Sequence, residues 1–214
     1  MEFSWPLVLV LGVLVLYGEQ VKTCFCPRSH PQTDFCHLSS FAIVGTVNAV
    51  TENTKDRRFN VTLRHMLKVP DNYIVTDNDQ IQLISHKGST LCELEVERGL
   101  TYVITGYVTG EVEYLVNSCL WTENFKTLSF SKFNGLLGNY DCSCYINDWG
   151  LTPVGVTPRD VCDYDETSTC EQAACKRNEQ GSCEWILNCT EQKRASSDLS
   201  SLKEKIRKEI NEIL

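Results

Sequence analysis

The chain has 214 residues, a formal net charge of −8 at pH 7 and twelve cysteines. An acidic chain is a poor candidate for nucleic-acid binding. The sequence also lacks a phosphate-binding loop, a dinucleotide-binding glycine motif and an HExxH motif, so it carries no signature of an NTPase, a dehydrogenase or a zinc protease. We therefore predict a protein that is not an enzyme and has no cofactor of its own.

An apolar run over residues 5–17 opens the chain, and it is too short for a bilayer span, which needs about 20 residues. Its position and length are typical of the hydrophobic part of a signal peptide. We predict a signal peptide over residues 1–23, cleavage before Cys24 and a secreted, extracellular protein. An uncleaved N-terminal anchor and cleavage after Gly18 are the alternatives.

All twelve cysteines follow this predicted leader, and their even number allows six bridges with no thiol left over. In an oxidising compartment such cysteines form disulfides, each of which contributes about 2–4 kcal/mol to stability. Metal binding by Cys24-Phe25-Cys26 is the alternative, which the even count disfavours. Sequons at Asn60 and Asn188 predict N-glycosylation, as in a secreted glycoprotein.

Five segments between residues 39 and 117 alternate apolar and polar side chains, the pattern of half-buried strands. They cover residues 41–49, 59–67, 80–83, 102–108 and 112–116. Five antiparallel strands in so short a region favour a closed, OB-fold-like barrel over an open sheet, because closure removes exposed edges. Gly106 marks a place where a barrel strand can bend. A polar connector over residues 122–133 is predicted to be helical, so the fold class is mainly β with flanking helices.

The second half of the chain is rich in cysteine, with seven of the twelve between residues 142 and 189. Such a segment buries little apolar surface and needs covalent links to fold. We predict an N-terminal domain over residues 24–141, a small disulfide-rich C-terminal domain over 142–194 and a helical tail over 195–214. The apolar residues of the tail recur at helical spacing: Leu199, Leu202, Ile206, Ile210 and Ile213. This amphipathic helix either packs on its own domain or supports self-association.

Two motifs directly follow the leader: Cys24-Phe25-Cys26, and then the run from His30-Pro31-Gln32 to Phe35-Cys36. Their spacing resembles the C-x-C and H-P-Q-x-x-F-C motifs of the tissue inhibitors of metalloproteinases. The likeness continues through Trp121 and the Cys142-Ser143-Cys144 junction to the G-x-C-x-W sequence that ends at Trp185. It covers about residues 24 to 190, so the leader and the tail lie outside it.

The resemblance implies a netrin-like, OB-fold barrel in the N-terminal domain and a set of disulfides. The implied bridges are Cys24–Cys92, Cys26–Cys119, Cys36–Cys142, Cys144–Cys183 and Cys162–Cys175. Two cysteines remain, and we predict a sixth bridge, Cys170–Cys189, between them.

The resemblance further implies an inhibitor of zinc metalloproteases of the matrix metalloproteinase or ADAM type. The α-amine and carbonyl of Cys24 would chelate the zinc of the target protease in trans, at the coordination position that catalytic zinc keeps open. Since a free α-amine has a reference pKa of about 8, it must lose a proton to bind zinc near neutral pH. Bridges at Cys24 and Cys26 would hold the terminus rigid and reduce the entropy lost on docking.

The predicted inhibitory ridge consists of Cys24, Phe25, Cys26, Pro27, Ser89, Thr90 and Leu91. Phe25 would enter the specificity pocket of the protease, where the family usually places Ser or Thr, and it should suit deep apolar pockets. The expected partners are secreted or membrane-anchored zinc metalloproteases in 1:1 complexes, with extracellular matrix as a further partner. A netrin-like extracellular binding or signalling module that does not inhibit is the alternative.

The remaining imidazole and indole side chains are predicted to be structural. His30 has no nucleophile paired with it and is expected to make structural hydrogen bonds. The other histidines show no ligand spacing and are expected at the surface or with satisfied hydrogen bonds: His37, His65 and His86. The tryptophans after the leader are expected in the core or at the domain interface: Trp121, Trp149 and Trp185.

Overall fold

The structure is a computed structural model, and it describes residues 24, 26, 29–70, 76–88, 92–110, 113–148, 154–164 and 174–186. Several predictions concern residues outside these ranges: the leader, the helical tail, part of the ridge, the second sequon, one tryptophan and the sixth bridge. The individual residues concerned are Phe25, Pro27, Ser89, Thr90, Leu91, Trp149, Cys170, Asn188 and Cys189.

Five strands form a closed barrel in the first half of the chain. They are β1 (Phe41–Glu52), β2 (Asp56–Lys68), β3 (Gln80–His86), β4 (Thr101–Thr109) and β5 (Glu113–Leu115). The ring runs β1-β2-β3-β5-β4 and closes because β4 pairs again with β1. This confirms the predicted OB-fold-like barrel and rules out the open sheet.

The expectation that all five strands pair antiparallel is wrong at one position, since β3 and β5 are parallel. The other neighbouring pairs of the ring are antiparallel. A closed ring with an odd number of strands cannot alternate direction at every step, so at least one parallel pair is unavoidable.

The inward-facing residues of the barrel form its core, as the period-two pattern predicts. Fully buried members include Phe41, Ile43, Val47, Phe59, Val61, Leu63, Leu83 and Ile104. Gly106 lies where β4 approaches β5, and a Cβ at this position would come within 2.4 Å of the Leu115 carbonyl oxygen and 2.5 Å of the Phe41 ring. The glycine is therefore required by close packing, because no side chain fits between the two strands.

The connector after the barrel begins with a strand, which corrects the predicted helix. β6 (Thr122–Asn124) pairs with β4 at Tyr102–Ile104, beside the part of β4 that pairs with β1. These β4 residues lie beyond the end of β5, and β6 satisfies their free backbone groups. Helix α2 (Phe130–Asn134) starts only later and continues as a π-helical turn over Gly135–Asn139.

A second apolar cluster lies on the outer face of the barrel. The cross-strand pair Val44 and Val103 packs there with the buried side chains of Trp121, Leu128, Tyr140 and Ala174. The short helix α1 (Pro31–Thr33), which continues as a π-helical turn over Asp34–Leu38, contributes Phe35 to this cluster. The predicted packing role of Trp121 is confirmed.

The cysteine-rich half contains two small sheets. β7 (Tyr145–Asn147) pairs in parallel with β8 (Val161–Asp163), which follows a 3-10 turn over Pro158–Asp160. β9 (Cys175–Arg177) pairs antiparallel with β10 (Cys183–Trp185). Three half-cystines, at 144, 162 and 175, together with Ile146, make up the buried core here, with Tyr164 and Trp185 packed against it.

Candidate functional site

Two disulfides tie the predicted mature terminus to one end of the barrel. Cys24 is bonded to Cys92 in the β3–β4 connection, and Cys26 is bonded to Cys119 in the β5–β6 connection. The four sulfur atoms lie within 4.8 Å of one another, and Cys24 is exposed. Because all four sulfurs are in disulfides, this cluster holds no thiolate for a metal, and the metal-binding alternative for C-x-C does not apply to it.

Two hydrogen bonds hold the Cys92 anchor, one at Cys92 itself and one at Leu94. The Cys92 carbonyl oxygen accepts from the backbone N–H of Ser118 at 2.9 Å, which joins the two connections that carry the anchors. Two residues further on, the Leu94 N–H donates to the hydroxyl of Ser85 at 2.9 Å, and Ser85 is fully buried in β3. The partner of Cys24 is thereby fixed to the barrel.

The Cys119 anchor is held by a side-chain turn. The Oδ1 atom of Asn117 accepts from the N–H groups of Cys119 and Leu120 at 2.9 and 3.2 Å. An asparagine that bonds the backbone two residues ahead holds a tight turn. Because Cys92 and Cys119 are both fixed, their bridges hold Cys24 and Cys26 against the same end of the barrel.

The disulfides of the described residues have the pairings that the resemblance implies. Besides the two at the terminus, they are Cys36–Cys142, Cys144–Cys183 and Cys162–Cys175. The Cys36–Cys142 bridge links helix α1's extension to the first residue of the predicted C-terminal domain. The predicted Cys170–Cys189 bridge lies outside the described residues.

The His30-Pro31-Gln32 motif anchors the segment after the terminus. His30 is 2% exposed, and its Nδ1 atom accepts from the Gln32 N–H at 3.1 Å, which caps helix α1. The His30 N–H donates to the Asp148 carboxylate at 2.9 Å, and its ring lies 5.5 Å from the Trp185 ring. This confirms that His30 is a structural hydrogen-bonding residue and that Trp185 packs between the two halves.

Residues 22–185 match the family described as tissue inhibitor of metalloproteinase. The chain belongs to this family. It is also 26% identical over 196 residues to metalloproteinase inhibitor 3 of Xenopus laevis, an alignment that covers 84% of this chain and 90% of that protein. The predicted resemblance is confirmed, and a family of inhibitors rather than of enzymes agrees with the prediction from the sequence.

The other histidines of this family member have structural partners. The Nδ1 atom of His86 lies 2.7 Å from the Asp56 carboxylate. The His37 ring stacks on the Tyr145 ring, with 4.2 Å between the ring centroids. His65 lies 3.5 Å from the Asp77 carboxylate. Within the described ranges these three histidines belong to no cluster of metal-ligating side chains.

A buried carboxylate beside the Cys26–Cys119 bridge was not predicted. Burial raises the pKa of Asp34 to about 6, although hydrogen bonds from the Ser29 hydroxyl and the Trp121 backbone oppose the rise, and the nearby Asp148 carboxylate adds to it. Asp34 lines an open cavity with Cys26, Cys119 and Lys132. It occupies a variable position of the H-P-Q-x-x-F-C motif, so no sequence signal marked it.

Of the predicted inhibitory ridge, the structure describes Cys24 and Cys26 and brings them together. The remaining ridge residues lie outside the described ranges. Asn60 of the first sequon is exposed on β2. In the part of the chain that is described, no helix is long and apolar enough to cross a membrane.

Proposed function

We propose that this protein is a secreted inhibitor of zinc metalloproteases of the matrix metalloproteinase or ADAM type. The α-amine and carbonyl oxygen of Cys24 bind the catalytic zinc of the protease. One observation supports this above the others: Cys24 is exposed while both it and Cys26 are covalently bonded to the same end of the barrel.

The chemistry follows from what a catalytic zinc leaves open. Three protein ligands hold such a zinc, and a water or substrate occupies the fourth position. A neutral amine and the carbonyl oxygen of the same residue are two donors at short distance, and together they displace that water. Binding releases a proton from the amine, so affinity should rise with pH toward the amine's pKa.

The disulfides supply rigidity rather than donors. A free N-terminus would lose conformational entropy when it docks, and this loss weakens binding. Bridges from Cys24 to Cys92 and from Cys26 to Cys119 remove most of that freedom before the protease arrives. The terminus therefore docks as a preorganised unit.

The rest of the ridge follows from its neighbours in the sequence. Phe25 lies between the two bridged cysteines and enters the specificity pocket of the protease. Ser89, Thr90 and Leu91 directly precede Cys92 and extend the contact. The complex is 1:1, and a glycan on the exposed Asn60 completes the secreted form.

The test has two steps. N-terminal sequencing of the secreted protein should show Cys24 as the first residue. A variant with one alanine before Cys24 should then lose inhibition by at least about two orders of magnitude, because an amide nitrogen is a poor zinc ligand. The matched control carries the alanine after Leu214 and should inhibit like the parent. Equal inhibition by the N-terminally extended variant would overturn zinc chelation, and a correctly processed parent that inhibits no zinc metalloprotease would favour the non-inhibitory binding module.

A further inference from the structure

Arg57, in β2, connects the β1–β2 hairpin to the segment that carries Cys92. Arg57 faces Glu52 across the hairpin, and one of its terminal nitrogens lies 3.6 Å from the Glu52 carboxylate. Its Nε atom lies 3.0 Å from the Glu93 carboxylate, in an ion pair without hydrogen-bond alignment. A second terminal nitrogen donates to the Leu94 carbonyl oxygen at 3.4 Å. One guanidinium thus joins three points of two different segments.

The same hairpin also holds the end of β3. The Lys87 ammonium pairs with the Glu52 carboxylate, and the Lys87 N–H donates to the Lys55 carbonyl oxygen at 2.7 Å. Positions 87 and 93 lie on either side of Cys92 in sequence. Lys87 pairs with Glu52 and Glu93 pairs with Arg57, so the Glu52–Arg57 pair contacts the chain on each side of Cys92.

Partial burial makes the Arg57–Glu93 ion pair stronger than a fully solvated one, whereas the Glu52 side chain that Arg57 and Lys87 share is 48% exposed. The side chains of Arg57, Glu93 and Lys87 are 22%, 23% and 21% exposed. Charges that are partly shielded from water interact more strongly and are screened less by salt. A guanidinium also offers several donors in a fixed plane, which a lysine cannot replace.

The Arg57–Glu93 ion pair lies next to the disulfide that holds the terminus. Glu93 directly follows Cys92, and Cys92 is bonded to Cys24. Apart from that bridge, the contacts described above for this segment are the Ser118 hydrogen bond and the Leu94–Ser85 hydrogen bond. Arg57 adds contacts to the same segment from β2, where it is the cross-strand partner of Ser85.

We propose that Arg57 is a positioning residue for inhibition, which fixes Cys92 and, through the disulfide, the orientation of Cys24. The proposal rests on the proposed function. Arg57 acts without touching the zinc, by limiting the orientations that the terminus adopts before it docks.

Substitution of Arg57 has a matched control in the adjacent residue. Arg58 pairs with Asp56 at 3.5 Å and with Gln82 at 3.1 Å, so Arg58→Gln removes the same charge but no contact to the Cys92 segment. Arg57→Gln should raise the inhibition constant about five- to twentyfold, because the terminus regains orientations that docking must then remove. Arg58→Gln should change it less than about twofold. Both variants should keep thermal stabilities close to that of the parent.

Two further measurements separate positioning from a general structural effect. Amide hydrogen exchange of residues 92–96 in the free protein should be faster in Arg57→Gln and unchanged in Arg58→Gln. The double variant Arg57→Gln, Glu93→Gln should also be made. Its fold-increase in the inhibition constant over the parent should be smaller than the product of the two single fold-increases, because the two residues share one contact.

Equal inhibition constants for the two arginine variants would overturn the proposal, as would multiplicative effects in the double variant. If the parent protein inhibits no protease, the proposed function fails instead. In that case the exchange measurement, which needs no protease, still decides whether Arg57 holds the Cys92 segment.

Discussion

The side-chain amide of Gln32 pairs with the backbone of Cys175 in the way that a neighbouring strand would. The Gln32 Oε1 atom accepts from the Cys175 N–H at 2.8 Å, and Nε2 donates to the Cys175 carbonyl oxygen at 2.7 Å. The same nitrogen also donates to the Asp141 carbonyl oxygen at 3.1 Å. Gln32 is fully buried, so the glutamine of the H-P-Q motif joins the two halves of the molecule.

Replacing Gln32 with alanine should lower the free energy of unfolding by about 2–4 kcal/mol, because buried backbone groups of Cys175 lose their partners. Chemical denaturation of the oxidised protein would measure this loss. The matched control is Gln80→Ala on β3, an exposed glutamine whose amide makes one hydrogen bond to Thr62, and its effect should stay below about 0.5 kcal/mol. Similar losses for the two variants would show that Gln32 does not stabilise the contact between the halves.

The raised pKa of Asp34 predicts a pH dependence of stability. In the folded protein this pKa is about 6, against an ordinary value near 3.8, so the folded state holds its proton more tightly than the unfolded state. The stabilising contribution is complete below about pH 4 and is lost as the pH rises through 6. Relative to Asp34→Asn, the parent should therefore lose about 2–3 kcal/mol between pH 4 and pH 7.

The control for this prediction is a carboxylate whose pKa shifts in the opposite direction. Hydrogen bonds from the Thr76 backbone and hydroxyl lower the pKa of the exposed Asp79. The free energy of unfolding of Asp79→Asn should thus change between pH 5 and pH 7 by the same amount as that of the parent. Denaturation curves at several pH values would compare the variants, and parallel pH profiles for the parent and Asp34→Asn would contradict the assignment.

A fragment of residues 24–143 should fold and inhibit without the cysteine-rich half. The barrel bridges are complete within it, provided that Cys142 is retained to pair with Cys36. Its inhibition constant should stay within about tenfold of the full protein, while its stability falls by a few kcal/mol because Gln32 loses its Cys175 partner. A correctly oxidised fragment that does not inhibit would place essential contacts in the second half.

The same fragment isolates the role of Gln32. Since Cys175 is absent from it, Gln32→Ala should destabilise the fragment much less than the full protein. An equal loss in both would mean that Gln32 acts only within the first half.

Phe25 should determine the range of proteases inhibited. Phe25→Gly should weaken binding by a few kcal/mol, as expected for a central interface anchor. Phe25→Thr should improve inhibition of proteases with shallow specificity pockets, because the smaller side chain avoids a clash. Inhibition constants of the three proteins across a protease panel would test this, and equal constants throughout would remove Phe25 from the contact.

The sequence by itself determined the barrel and the family. Alternation of apolar and polar residues is a local property of each strand, so the five barrel strands could be recognised one at a time. The spacing of Cys24, Cys26 and the His30-Pro31-Gln32 motif identified the family, and that resemblance implied the disulfide pairings seen in the structure.

Only the tertiary structure decided which polar residues hold the site in place. Gln32 meets a backbone 143 residues away, and Arg57 meets a carbonyl 37 residues away, so neither contact leaves a periodic signal in the sequence. Strand β6 forms because β4 offers unpaired backbone groups there, and the polar residues of β6 do not by themselves predict a strand. The raised pKa of Asp34 arises from burial, which the closure of the chain around it creates and no local pattern encodes.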